Sequence, residues 1–411
     1  MFIFLCPSLV LAEEISLTFE EAIAIALRDN RDIMLKAEDV KKAKLKIAEA
    51  QASLFPTLSF TGSWADTRGY YSKDSAQTAA QATLKQSLYK GGKIINTIQL
   101  NEYGLTVAGA LLDKTKLEII LNLKKAFYTL ILANEFVDLN RGILDNSQRH
   151  MNFLRALYAN GQASESDLLR VEASLGSVKQ AHEASLNQAE ATQVLLNNLL
   201  YLDKDAKIKP NAQLDYQAQE LAFDEAFLKA MRMRPEIRQY EAQAQANQKA
   251  VEIAKADNRP SIYASWDYYS RSHLAAGTSR GWNDYNVIGL TFSWPIFDGW
   301  ATKAKVEQAI VDLKETQLAK EKTVADIALE LKNAYLDLKN AIAKIKSTQG
   351  DEGLYKNILS VTQDKYKDGI ASSLDLEDAS LGYKVSLFNQ KEAVYDYVLA
   401  KAKFDKATGG L

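Results

Sequence analysis

Tyr158-Ala159-Asn160-Gly161-Gln162-Ala163-Ser164 returns 208 residues later as Tyr366-Lys367-Asp368-Gly369-Ile370-Ala371-Ser372. Each copy closes a run that has no proline and carries an apolar residue every seven positions. Before the first turn the stripe is Leu123, Leu130, Val137, Leu144, Met151 and Tyr158; before the second it is Leu331, Leu338, Ile345, Glu352, Leu359 and Tyr366, and only Glu352 breaks it. Spacing of seven, rather than a drifting 3.6, marks helices that wind around neighbours with a left-handed supercoil. The runs 91–159 and 299–367 therefore read as two helices of nearly 70 residues, each ~100 Å long at 1.5 Å per residue. Such a helix cannot bury its face inside a compact domain and needs a bundle or helical wall. Past each glycine the chain reverses into a return helix, 164–200 and 372–405, with Leu168, Leu175, Leu196 and Leu381, Phe388, Tyr395 in heptad register.

Working outward, the repeat covers the whole chain. Leu17-Thr18-Phe19 before Glu-Glu-Ala answers Leu221-Ala222-Phe223 before Asp-Glu-Ala, and Phe55-Pro56-Thr57 answers Arg259-Pro260-Ser261, both 204 residues apart. The chain is a duplicated domain: a first repeat over 13–200, a linker over 201–220, and a second repeat over 221–411. Each repeat opens with a helix, the first through the capping box Thr18-x-x-Glu21. Ile33, Val40, Ile47 and Leu54 set its seven-residue stripe, answered by Ile237, Ala244 and Val251.

Pro56 then switches the period to two. Strands over 56–71 and 78–89 alternate Leu58, Phe60, Gly62, Trp64 with Thr57, Ser59, Thr61, Ser63, and Ala80, Ala82, Leu84, Leu88 with Gln81, Thr83, Lys85, Ser87. Strands over 260–270 and 286–296 alternate Ile262, Ala264, Trp266, Tyr268 and Ile288, Leu290, Phe292, Trp294 with polar or small partners. Alternation with aromatic ends is how a strand reads when one face meets lipid and the other a wet lumen. A half-buried strand of a soluble sandwich gives the same pattern singly; four strands set symmetrically favour the membrane barrel.

Four strands cannot close a barrel. Open edges in lipid leave backbone groups unpaired at several kcal/mol each, and the smallest membrane barrels have about eight strands. Three copies pool twelve strands and twelve helical rods, enough to enclose an open lumen; two copies bring eight rods, which more nearly fill one. The expectation is a homotrimer, α+β in class.

Composition excludes other functions. A net charge of −2 and a pI near 6.1 without basic runs argue against nucleic acid. Three histidines and one cysteine leave little for a metal site, and a disulfide within the chain is excluded. No phosphate loop, Walker lysine, HExxH or nucleophile elbow is present, so neither an enzyme nor a cofactor is expected. Residues 1–12 are apolar and read as the h-region of a signal peptide with a Val10-x-Ala12 cleavage site. The missing positive n-region points to a start upstream. Cys6 reads as part of that signal rather than as a lipid anchor, because Leu5 stands where a small residue is needed.

The duplication, the strand pairs, the long helices and the two Tyr-x-x-Gly-x-x-Ser turns resemble the TolC family of outer-membrane efflux proteins over residues 13–411. The resemblance implies a trimer with a twelve-stranded outer-membrane β-barrel continuous with a periplasmic α-helical coiled-coil tunnel, belted near its equator by the linker and chain ends. It implies a passive exit duct of a tripartite efflux or type I secretion system, working with an inner-membrane pump and a periplasmic adaptor. Asp375 and Asp378 match the family's acidic positions at the closed tip, Asp167 matches the acid of the first copy, and Tyr366 matches a tyrosine that holds the tip closed. Ala371 stands where the family carries a basic residue, so closure is expected to be looser or differently held. The turns with Gly161 and Gln162, and Gly369 and Ile370, match the tips that meet the adaptor. The competing reading is a periplasmic coiled-coil scaffold without a pore, which accounts for the heptads and not for the strands.

Overall fold

The computed structural model describes residues 15–70, 73–203, 205–212, 214–216, 222–275 and 281–410. The signal segment with Cys6, Val10 and Ala12, and part of the linker, lie outside the described residues.

The first half runs β1 (Ile15–Leu17), α1 (Phe19–Asp29), α2 (Arg31–Ala52), β2 (Thr57–Tyr70), β3 (Lys73–Lys90), α3 (Lys93–Ala159) and α4 (Glu165–Leu200). After β4 (Ile208–Pro210) the order returns as α5 (Phe223–Met233), α6 (Pro235–Ala256), β5 (Ser261–Ala275), β6 (Trp282–Ser293), α7 (Ala301–Lys367) and α8 (Ser373–Ala407). Both long helices are continuous over 67 residues.

The opening helix of each half differs from the sequence reading: it is two helices. In the first half Asn30 ends α1 in an extended conformation, and its Oδ1 accepts from the backbone N–H groups of Asp32 and Ile33 at 3.0 and 3.4 Å, capping α2. In the second half Pro235 makes the break. It forces Arg234 out of the helical region and supplies a first helical residue without the N–H that would go unpaired there. The Thr18–Glu21 capping box is present, whereas Ala222, its counterpart, offers no side-chain cap. Leu54 lies beyond the end of α2 and is exposed, so it takes no part in that helix's stripe.

The chain forms two compact units, each drawing on both halves of the sequence. One comprises residues 1–35, 113–234 and 324–411. Its core holds Leu123, Leu130 and Met151 of the first stripe and Leu331, Leu338 and Ile345 of the second, all almost fully buried. Towards the turns the stripes come to the surface at Tyr158 and Tyr366. Phe136 meets Phe388 at 5.3 Å between ring centroids, joining α3 to α8. The linker is not wholly irregular: β4 pairs in parallel with β1, Ile15 opposite Ile208. Tyr216 beyond it packs edge-on against Tyr397 at 4.9 Å, on the core cluster around Leu338, Ile345 and Val394.

The other unit comprises residues 36–112 and 235–323 and contains the four-stranded antiparallel sheet, in order β2-β3-β5-β6. The two halves of the chain thus meet edge to edge, β3 against β5. The outer edges of β2 and β6 pair with nothing among the described residues.

Candidate functional site

Register decides what the sheet can do. Leu58, Leu84, Trp266 and Ile288 lie opposite one another across all four strands, and Phe60, Ala82 and Tyr268 form the next row. This apolar face is open to solvent: Phe60 is 76% exposed, Ile288 84% and Leu290 72%. A soluble sheet would bury it at ~25 cal/mol per Å²; a sheet in lipid has no reason to. One detail departs from simple alternation. A bulge between Ser87 and Tyr89 puts Tyr89, not Leu88, opposite Ile262, so Tyr89 extends the apolar face at the base of the strand.

The opposite face is polar and internally bonded. Gln81 Nε2 donates to Asp267 Oδ1 and to the Tyr269 hydroxyl, each at 3.1 Å, and Thr83 Oγ1 donates to Asp267 Oδ1 at 2.6 Å. Tyr269 stacks on Tyr285 at 4.9 Å, the Arg271 guanidinium lies 5.0 Å from the Tyr269 ring, and the Lys85 ammonium lies 4.0 Å from the Tyr263 ring. Two faces of opposite character on one open-edged sheet suit a wall between lipid and water.

The second group of candidate residues lies at the helix reversals. Gly161 and Gly369 take φ of 74° and 70°, the left-handed conformation that ends a helix sharply. Gln162 N–H reaches Leu157 O at 2.9 Å and Ile370 N–H reaches Lys365 O at 2.8 Å, the same closure in both copies. Gln162 is exposed and the Ile370 side chain is 74% exposed. Asp167 and Asp375 sit at equivalent places, each bonded to its N-cap serine, but only Asp375 completes a capping box. Ser164 Oγ donates to Asp167 Oδ2 at 2.7 Å; Ser372 donates to Asp375 Oδ2 through its hydroxyl at 2.7 Å and its backbone N–H at 2.8 Å. The hydroxyl and backbone bonds from Ser372 hold the Asp375 carboxyl below the usual carboxylate range. Asp378, one turn on, is exposed and makes no such bond. No hydrogen bond or ion pair among the described residues joins Asp167 to Asp375 or Asp378; meeting about an axis requires further copies of the chain.

Sequence reasoning passed over Glu377, which lies between the two acids. It is paired with Arg149 of α3 at 2.8 Å, so α8 is tied to α3 by the acid next to those exposed. It also passed over the Arg271–Tyr269–Tyr285 cluster: Arg271 and Tyr285 lie just outside the strands read from the sequence, and β5 and β6 run longer, Ser261–Ala275 and Trp282–Ser293.

Among the described residues no helix is long and apolar enough to cross a membrane, and no group of His, Cys, Asp and Glu is placed to hold a metal ion. The sheet is the element with membrane character. A family model described as outer membrane efflux protein matches residues 22–200 and again 228–410. The chain belongs to the outer membrane efflux protein family. Two matches in one chain are the duplication seen in the element order.

Relatives within and around this family agree. Nodulation protein T of Rhizobium leguminosarum bv. trifolii is 22% identical over 400 residues, 93% of this chain and 83% of that protein. Outer membrane protein TolC of Escherichia coli (strain K12) is 22% identical over 408 residues, covering 93% and 80% respectively. The Campylobacter jejuni CmeC outer membrane channel superposes with a TM-score of 0.79 at 19% identity, over 95% of this chain and 85% of that one. This efflux-family protein thus has the TolC-like channel fold, resides in the outer membrane and belongs to transport.

Proposed function

We propose that three copies of this chain form a twelve-stranded barrel in outer-membrane lipid, continuous with a helical tunnel in the periplasm. The assembly is the passive exit duct of a tripartite efflux or type I secretion system, with energy and substrate choice coming from an inner-membrane pump and a periplasmic adaptor. The observation that carries this reading is the four-stranded sheet: an apolar face open along every strand, a polar face opposite, and both edges unpaired among the described residues. In lipid the unpaired edges cost several kcal/mol per backbone group, and only closure with other copies removes that cost. Family membership and the TolC-like fold support the same reading.

In this duct Asp375, Asp378, Asp167 and Tyr366 form the periplasmic gate, with the carboxylates of three copies around one narrow axis. Gly161, Gln162, Gly369 and Ile370 form the turns that meet the adaptor; the exposed, apolar Ile370 at a sharp reversal is suited to such a contact.

Light scattering on detergent-purified protein tests the assembly. Three copies of the 45.7 kDa chain give a protein mass of about 137 kDa. A monomer or dimer in every detergent would overturn the shared barrel and favour a pore-free coiled-coil scaffold.

A further inference from the structure

The polar face of the sheet holds a cation whose charge nothing among the described residues answers. From the row of Ser87 to the row of Ala79, that face carries three charged residues: Lys85, Asp267 and Arg271. Asp267, the sole acid among them, accepts from Thr83 and Gln81 and forms no ion pair with Arg271 among the described residues. Asp284, on the neighbouring strand, lies on the apolar face and accepts from Ser270 Oγ at 2.5 Å. Arg271 makes no ion pair among the described residues, and its Nε, shut off from solvent, has no hydrogen-bond partner.

What surrounds the guanidinium is aromatic. Its carbon lies 5.0 Å from the Tyr269 ring and 5.7 Å from the Tyr285 ring. The two rings are nearly parallel, at 16°, and so form a fixed wall against which the side chain is held. A guanidinium on aromatic faces keeps its N–H groups free at the edge and remains charged, which is the arrangement that recognises carboxylate, sulfonate or phosphate oxygens. The lateral neighbours of Arg271 are Ala79 and Asn283 of the same chain. Because β5 lies between β3 and β6, assembly at the outer sheet edges brings no new strand beside it.

We propose that Arg271, braced by Tyr269 and Tyr285, is an anion-binding site on the wall of the duct and biases passage towards anionic solutes. This rests on the barrel reading, in which the polar face lines the lumen and three copies place three guanidinium groups around it. Rings of fixed positive charge raise the local anion concentration and set selectivity in pores of other architectures.

The test is reversal potential across planar bilayers holding the full-length protein in a KCl gradient. Arg271→Gln lowers the chloride-to-potassium permeability ratio roughly two-fold or more, and Arg271→Lys largely restores it. Asn283→Asp, which sets a carboxylate beside an intact Arg271, lowers the ratio in the same direction and serves where Arg271→Gln does not fold. A merely structural Arg271 predicts altered stability with an unchanged ratio. If wild-type and variant channels conduct with the same ratio, the anion site is overturned and the duct stands. If the wild-type protein makes no channels, both are overturned.

Discussion

Ser372 donates twice to one carboxylate oxygen of Asp375, from its hydroxyl at 2.7 Å and its backbone N–H at 2.8 Å, while Asp375 N–H returns a bond to the hydroxyl at 3.1 Å. The acid matched to a gate is thus also the closing residue of a capping box, and the two roles call for different experiments.

Asp378 separates them. It has the charge without the cap, so Asp378→Asn should weaken divalent-cation block of the channel and lower cation preference, leaving the helix start intact. Ser372→Ala removes the cap at a cost of ~1 kcal/mol of local stability and keeps both charges. Block in planar bilayers should follow Asp378→Asn and Asp375→Asn, and not Ser372→Ala. If block and conductance are unchanged in both Asn variants, the acids do not line the pore.

Acid should act on the cap by a predictable sign. The folded-state pKa of Asp375 is lowered by its Ser372 bonds, so the stabilisation is complete above the unfolded carboxylate value near ~4 and fades as pH falls through the folded value. Amide hydrogen exchange at the start of α8 should therefore speed up in wild type below about pH 4, relative to Asp375→Asn. Equal acid sensitivity in the two proteins would remove the carboxylate from the cap.

Gly161→Val and Gly369→Val should impair export while trimers still form. At φ near 70° a β-branched residue is disfavoured by ~1–2 kcal/mol, yet an added Cβ meets no neighbour within 4 Å at either place. The damage is therefore confined to the turn. Export assays beside size measurement check this, and normal export would argue against docking at the turns.

Much of this architecture is written locally. Heptad stripes and period-two alternation depend on neighbours within a few residues, so α3, α7 and the strands are legible in the sequence. What escapes depends on distant partners or on one side chain. The pairing of Ile15 with Ile208 joins residues far apart in sequence through only three positions. The break at Asn30 turns on a single amide capping the next helix, with no proline to mark it as at Pro235. Ser164-x-x-Asp167 and Ser372-x-x-Asp375 carry capping spacing in plain view. Which acids face a common axis is set by other copies of the chain, and the polar cluster on the sheet joins Gln81 to Asp267 across the duplication.

Arg234 is a buried anchor at the second helix break. It is 5% exposed, its Nη2 meets Glu330 Oε2 at 2.7 Å, and Lys406 Nζ reaches the other carboxylate oxygen at 3.1 Å. Burial pushes the Glu330 carboxyl up, but the Arg234 hydrogen bond and the Arg234 and Lys406 charges outweigh it and the net shift is downward. Removing Arg234 leaves Glu330 with Lys406 alone and takes a buried, charge-assisted hydrogen bond from the helix break, so Arg234→Ala should destabilise the protein by about 1.5–3 kcal/mol. Thermal unfolding in detergent checks this; a loss below ~1 kcal/mol would mean that water has replaced the pair.

Val287 and Ile288 are adjacent on β6 and lie on opposite faces, Val287 in the row of Asp267 and Ile288 in the row of Trp266. Both side chains are exposed in the single chain, so solvent exposure alone predicts similar tolerance of charge. The barrel predicts a difference. Ile288→Lys sets an ammonium against lipid, at ~2–4 kcal/mol per site near the bilayer midplane and once in each copy, whereas Val287→Lys places it in water. Folding into lipid vesicles should therefore fail or weaken for Ile288→Lys and proceed for Val287→Lys. The reverse outcome would turn the sheet inside out, moving Arg271 to the lipid face; equal tolerance would mean that neither face meets lipid.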